Sequence, residues 1–147
     1  MSGFYHACFV VPDLEKAMGD FTTATGTSWR PVRDGRLGEW DYRIVFSEGP
    51  PHLELIEGPP GSPWDCGGVA RFDHLGWWTR SIQDSSARLA EAGFPAEFDA
   101  CPYGRPFAYH RVDSIGARIE VVDASVQPGF LDTWNPGGAP MRALEDN

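Results

Sequence analysis

Four residues of this chain have the types and spacing to do chemistry together. They are His6 in Phe4-Tyr5-His6-Ala7, Glu54 in His52-Leu53-Glu54-Leu55-Ile56, His74 in Phe72-Asp73-His74-Leu75-Gly76 and Glu120 in Arg118-Ile119-Glu120-Val121-Val122. Two imidazoles and two carboxylates suit a divalent first-row metal, with positions left open for water or substrate. Singly, each has a plain structural explanation, since strand histidines are mostly hydrogen-bonded core or rim residues and glutamates mostly solvated. Recurrence is what sets these four apart. His74 follows His6 by 68 residues, Gly93 follows Gly26 by 67, and Glu120 follows Glu54 by 66. The chain reads as an internal duplication in which each copy contributes one histidine and one glutamate.

Each copy must carry its pair on strands. The run from Phe4 to Val11 is aromatic and β-branched, which predicts a strand that Pro12-Asp13 stops. Asp13 is the N-cap of a helix with Leu14, Ala17, Met18 and Phe21 on one face and Gly26 at its end. Strands are predicted at residues 29–32 and 40–46, separated by the turn-rich Arg33-Asp34-Gly35-Arg36, and at residues 53–56. The second copy repeats the order: a strand from Phe72, a helix over residues 82–92, and strands at residues 96–100, 107–112 and 117–122. Side chains alternate along a strand. Leu53 and Leu55 therefore face the helices while Glu54 faces away, and Ile119 and Val121 stand in the same relation to Glu120. His6 with Cys8, and His74 with Gly76, can occupy that helix-free side. A sheet curled into a cup would then gather the four residues.

At 147 residues the chain has the size of one domain, and copies of roughly 70 residues would bury only marginal cores separately. The expectation is a single domain of two modules, about 3–58 and 71–123. A Gly/Pro-rich linker spans 59–70, and a tail over 124–147 holds a short helix near 130–134 and a loose end. A net charge of −9 and a pI of 4.7 argue against nucleic acid or anionic membrane as partner and leave a small-molecule substrate. No apolar run reaches the length of a membrane span, and no basic leader precedes an apolar segment. Cys8, Cys66 and Cys101 are odd in number and lack C-x-x-C spacing, as expected of a reduced, cytoplasmic protein.

The segments Phe4-Tyr5-His6…Val11-Pro12-Asp13-Leu14 and Leu53-Glu54-Leu55-Ile56-Glu57, with Phe72-Asp73-His74-Leu75-Gly76 and Ile119-Glu120-Val121-Val122, resemble the vicinal oxygen chelate superfamily. That superfamily includes glyoxalase I, methylmalonyl-CoA epimerase, extradiol dioxygenases and bleomycin-resistance proteins. The resemblance extends to about Asp123 and leaves the tail outside. It implies a glyoxalase-like α+β fold: two βαβββ modules forming one curved mixed sheet with helices on the outside. It also implies one divalent metal ion (Zn, Ni, Co, Mn, Mg or Fe) held by His6, Glu54, His74 and Glu120, and a homodimer. Glu57, on the opposite face from Glu54, is rejected as a ligand. The implied activity is that of a metal-dependent lyase or isomerase/epimerase acting on a small carbonyl-containing metabolite through a metal-stabilised enolate. Glu54 or Glu120 would be the base. Two alternatives stand beside it. An Fe(II) extradiol-type dioxygenase would use His6, His74 and Glu120, but Glu54 takes a position that catechol and oxygen need. A metal-free small-molecule (drug) binding protein fits the six tryptophans and leaves the full ligand set unexplained.

Further residues complete the expected pocket. If the Asp113–Gly116 turn pairs Val112 with Ala117, Tyr109 faces the cup beside Glu120; a one-residue slip puts His110 there instead. Among Trp40, Trp77, Trp78 and Trp134, most are expected in core or interface, with Trp78 assigned to the pocket. His52, following two prolines, is expected to be exposed. Glu48 is expected to be a solvated loop residue, and Arg43, Arg105 and Arg111 are expected at the surface.

Overall fold

The strands that open the two copies are β1 (Phe4–Val10) and β5 (Arg71–Thr79). In the computed structural model, which describes residues 3–146, both are divided between two units of the chain. One unit is Ala7–Asp73 and the other is Met1–His6 with His74–Asn147. The boundaries fall inside these two strands and not in the 59–70 linker.

The Ala7–Asp73 unit contains α1 (Leu14–Thr25), β2 (Arg33–Leu37), β3 (Trp40–Phe46) and β4 (His52–Glu57), hydrogen-bonded in the order β2-β3-β4-β1. The helix forms where its caps predict. The Asp13 carboxylate accepts from the Lys16 N–H at 2.9 Å, and Gly26, at φ 74°, closes the C-terminus. Leu14, Val11, Val45 and Leu55 make the buried core beneath it, flanked by Phe9, Met18, Phe21 and Trp29. Since Leu55 packs on α1, Glu54 points to the other face of β4. Glu57 shares the face of Leu55 and caps the helix, accepting from the Leu14 N–H at 2.8 Å. The predicted strand at residues 29–32 is corrected: Trp29 makes a single bridge to Ser47, and β2 is Arg33–Leu37, the segment read as a turn. Gly35 misled that reading. It pairs with Tyr42, and a Cβ there would come within 2.3 Å of the Tyr42 ring, so this glycine marks a close approach inside a strand.

The other unit contains α2 (Ile82–Glu91), β6 (Ala96–Asp99), β7 (Phe107–Val112), β8 (Ala117–Asp123) and α3 (Gln127–Trp134), with hydrogen-bonding order β1-β5-β8-β7-β6. β5 and β8 run parallel, with His74 opposite Arg118 and Gly76 opposite Glu120. β7 and β8 are antiparallel, pairing Val112 with Ala117 and Tyr109 with Glu120. Ile82, Ala108 and Val121 form the core under α2. The apolar alternation is as expected, and Tyr109 and Glu120 are left on the opposite face.

The tail is not loose. The Gln127 side chain donates to the Met141 carbonyl at 3.1 Å and accepts from the Met141 N–H at 2.9 Å. Glu145 accepts from Thr79 Oγ1 at 2.5 Å and from the Arg80 N–H at 3.1 Å, while Arg80 pairs with Asp146. The element order is thus βαβββ twice, followed by the α3 extension: an α+β fold with mixed sheet pairing. Among the described residues, no helix is long and apolar enough to cross a membrane.

Candidate metal centre

Three of the four expected ligands belong to one unit and meet there. His6 comes from β1, His74 from β5 and Glu120 from β8, strands that neighbour one another in the order β1-β5-β8. His6 Nε2 lies 2.9 Å from His74 Nε2 and 3.1 Å from Glu120 Oε2, and His74 Nε2 lies 3.3 Å from the same oxygen. Both imidazoles are fully buried and the glutamate is 7% exposed.

These distances fit a shared cation. Donors about 2.0–2.1 Å from one ion lie about 2.9–3.4 Å apart across the range from right-angle to tetrahedral arrangements. Glu120 Oε2 is buried and accepts no hydrogen bond of good geometry among the described residues, although both imidazole nitrogens are near. An unsatisfied buried carboxylate oxygen is costly unless something charged meets it. Burial pushes the Glu120 carboxyl up, but the charge of His74 and the close approach of both imidazoles outweigh it and hold the group below its ordinary range. The arrangement can present a carboxylate and two imidazole nitrogens to one divalent ion.

Glu54, the fourth expected ligand, lies in the Ala7–Asp73 unit, buried on β4 and facing away from α1. The observed register decides between Tyr109 and His110. Tyr109 stands beside Glu120, its ring 4.7 Å from that of His74. His110 is corrected as a pocket residue. Its Nδ1–H donates to the Phe94 carbonyl at 2.6 Å, and its Nε2, left as acceptor, takes the Ser86 hydroxyl at 2.9 Å on the α2 side. Trp78 is also corrected: only 1% exposed, it stacks on Tyr5 at 4.3 Å with the Phe130 edge against both, and so fills core. His52, expected to be exposed, is buried, its Nδ1–H donating to the Ser47 carbonyl at 2.8 Å.

Sequence reasoning missed Arg118 as a site residue. Two positions before Glu120 on β8, it shares that face, is 6% exposed, and sets its guanidinium 4.1 Å from the centre of the Tyr109 ring. Strand period alone could have found it. Tyr109 is thus in contact with both Arg118 and His74.

A family model for the glyoxalase/bleomycin resistance protein/dioxygenase superfamily matches residues 5–109. Among curated proteins no sequence match is found. A Streptomyces coelicolor methylmalonyl-CoA epimerase variant in complex with 2-nitronate-propionyl-CoA superposes with TM-score 0.62 at 14% identity, over 84% of this chain and 97% of that one. For a methylmalonyl-CoA epimerase from Mycobacterium tuberculosis the values are 0.57 and 14%, over 82% and 87%. A hypothetical protein from Bacillus halodurans gives 0.62 and 16%, over 82% and 92%. The family match covers the first module and most of the second, and these structures share the fold with it. The chain therefore belongs to the glyoxalase/bleomycin resistance protein/dioxygenase superfamily.

Proposed function

We propose that the protein is a metal-dependent isomerase or epimerase, or a related lyase, that moves a proton on carbon next to a carbonyl of a small metabolite. The observation that carries this reading is the mutual approach of His6, His74 and Glu120 donor atoms at 2.9–3.3 Å. These three would hold one divalent ion, with Glu54 as fourth ligand by its equivalence to Glu120 in the repeat. When bound, the ion supplies Lewis-acid polarisation of the substrate carbonyl.

The chain's own groups supply the rest. Tyr109, pressed on His74 and covered by Arg118, fixes the imidazole plane and limits water on that side. Glu54 or Glu120 takes the carbon-bound proton. The likeness in fold to methylmalonyl-CoA epimerases makes acyl thioesters the first substrates to try, with 2-oxo and 2-hydroxy carbonyl compounds next.

Deuterium incorporation from solvent, followed by NMR, tests the reading. Glu54→Gln should keep metal and lose exchange by at least about a hundredfold, since an amide can still coordinate but cannot take the proton. If Glu120 is the base, Glu120→Gln behaves this way instead. Metal-independent binding of an aromatic compound with no exchange in any candidate would favour a binding protein. One observation supports a second reading: two histidines and one carboxylate are also the ligand set of Fe(II) dioxygenases. Ring cleavage of catechols by anaerobically iron-loaded protein, on admitting oxygen, would establish that reading over ours.

A further inference from the structure

Neighbouring strands lie about 4.8 Å apart, so β1 and β8, on either side of β5, carry their backbones about 10 Å apart. His6 of β1 and Glu120 of β8 nevertheless bring Nε2 and Oε2 to 3.1 Å. The two side chains must meet over β5. The β5 residue in register with Glu120 is Gly76. A Cβ at Gly76 would lie 2.0 Å from Cε1, 2.3 Å from Nδ1 and 2.9 Å from Nε2 of His6. All three are atoms of one rigid, fully buried ring, which cannot yield to a methyl group without leaving the cluster. Backbone conformation is not the reason for glycine here, because Gly76 is absent from the residues with positive φ. Nor does the repeat demand it: the equivalent residue of the first copy is Cys8, 68 positions earlier.

We infer that Gly76 is a positioning residue of the metal centre: its missing side chain is the space through which the His6 imidazole crosses β5 to stand beside His74 and Glu120. The affinity part of the test rests on the proposed metal role; the steric part does not. The experiment compares wild type, Gly76→Ala, His6→Ala and the double variant by two readouts. One is Co(II) affinity, from competition with a chromophoric chelator together with the visible cobalt spectrum, and the other is the urea midpoint.

Gly76→Ala should lower cobalt affinity at least about tenfold and alter the spectrum, because a displaced imidazole no longer presents its nitrogen. In the His6→Ala background, which has lost a ligand and so reads only in urea, the same change should leave the midpoint unshifted, since the ring that the methyl group would strike is gone. If Gly76→Ala alone does not fold, the double variant should, and that rescue supports the inference equally. A Gly76→Ala protein with wild-type affinity and spectrum overturns it. So does a double variant as impaired relative to His6→Ala as the single variant is to wild type. If wild type takes up no cobalt, the metal reading fails instead, and the urea cycle still decides whether Gly76 and His6 are coupled.

Discussion

The donor atoms of His6, His74 and Glu120 lie so close together that removing any one should leave an incomplete grip on a cation. His74→Ala and Glu120→Ala are each expected to release metal, read by elemental analysis after gentle purification, with the far-ultraviolet circular dichroism spectrum unchanged. Full occupancy in either variant would show that the ligands are misassigned. Glu120 and Tyr109 were legible because period-two alternation places them on one face once Val112 pairs with Ala117. Other residues were not. His52 looks exposed after two prolines, yet Ser47 folds back to take its imidazole N–H, a contact that no local pattern encodes. Trp78 reads equally well as pocket or core until Tyr5 and Phe130 are seen against it. Gly76 needed three strands in register before its lack of a side chain acquired a meaning.

The first two helices were read closely, whereas α3 begins at Gln127, three residues before the expected 130–134, with no side-chain cap to mark its start. Asp13 and Gly26 bracket α1, and Ser81, whose side chain accepts from the Asp84 N–H, begins α2. The edge hairpin and the tail were not read closely, since glycine and proline content signals turns and disorder without showing what the side chains tie down. Gln127 and Glu145 fix the tail through backbone groups distant in sequence. This attachment should depend on pH. Burial pushes the Glu145 carboxyl up, but hydrogen bonds from Thr79, the backbone and Ser85 outweigh it and hold the group below its ordinary value of 4.5. A depressed folded value means that the stabilisation is complete above the unfolded value and is lost as pH falls through the folded one. The Arg80 amide proton, which donates to Glu145, should therefore shift in NMR spectra at a midpoint below 4.5. Glu145→Gln should abolish that titration. A midpoint at or above 4.5, or one that survives the substitution, would contradict the role given to this carboxylate. The contribution to stability is small because the side chain is solvent-screened.

For the whole molecule, βαβββ modules of about 70 residues each have little core of their own, and Val69 and Phe72 expose 73% and 38% of their surface. A homodimer that covers apolar surface is the expected state, giving a sedimenting species of twice the 16.2 kDa chain at micromolar concentration. A species of one chain's mass at every concentration would refute it. The duplication was readable at this scale from the repeat offsets, and the family from the segments around His6, Glu54, His74 and Glu120, while the division of β1 and β5 between units was not, since nothing in a strand's composition marks where its packing changes. The separation of His6 from His74 by 68 residues has a kinetic consequence. Until that length of chain has closed on itself, an ion meets isolated imidazoles and carboxylates, each a weak ligand. Closure of so long a loop is slow compared with local helix formation. In refolding started with cobalt present, the colour of the bound ion should rise with the final native phase and lag the helical signal, so metal uptake would time the closing of the chain.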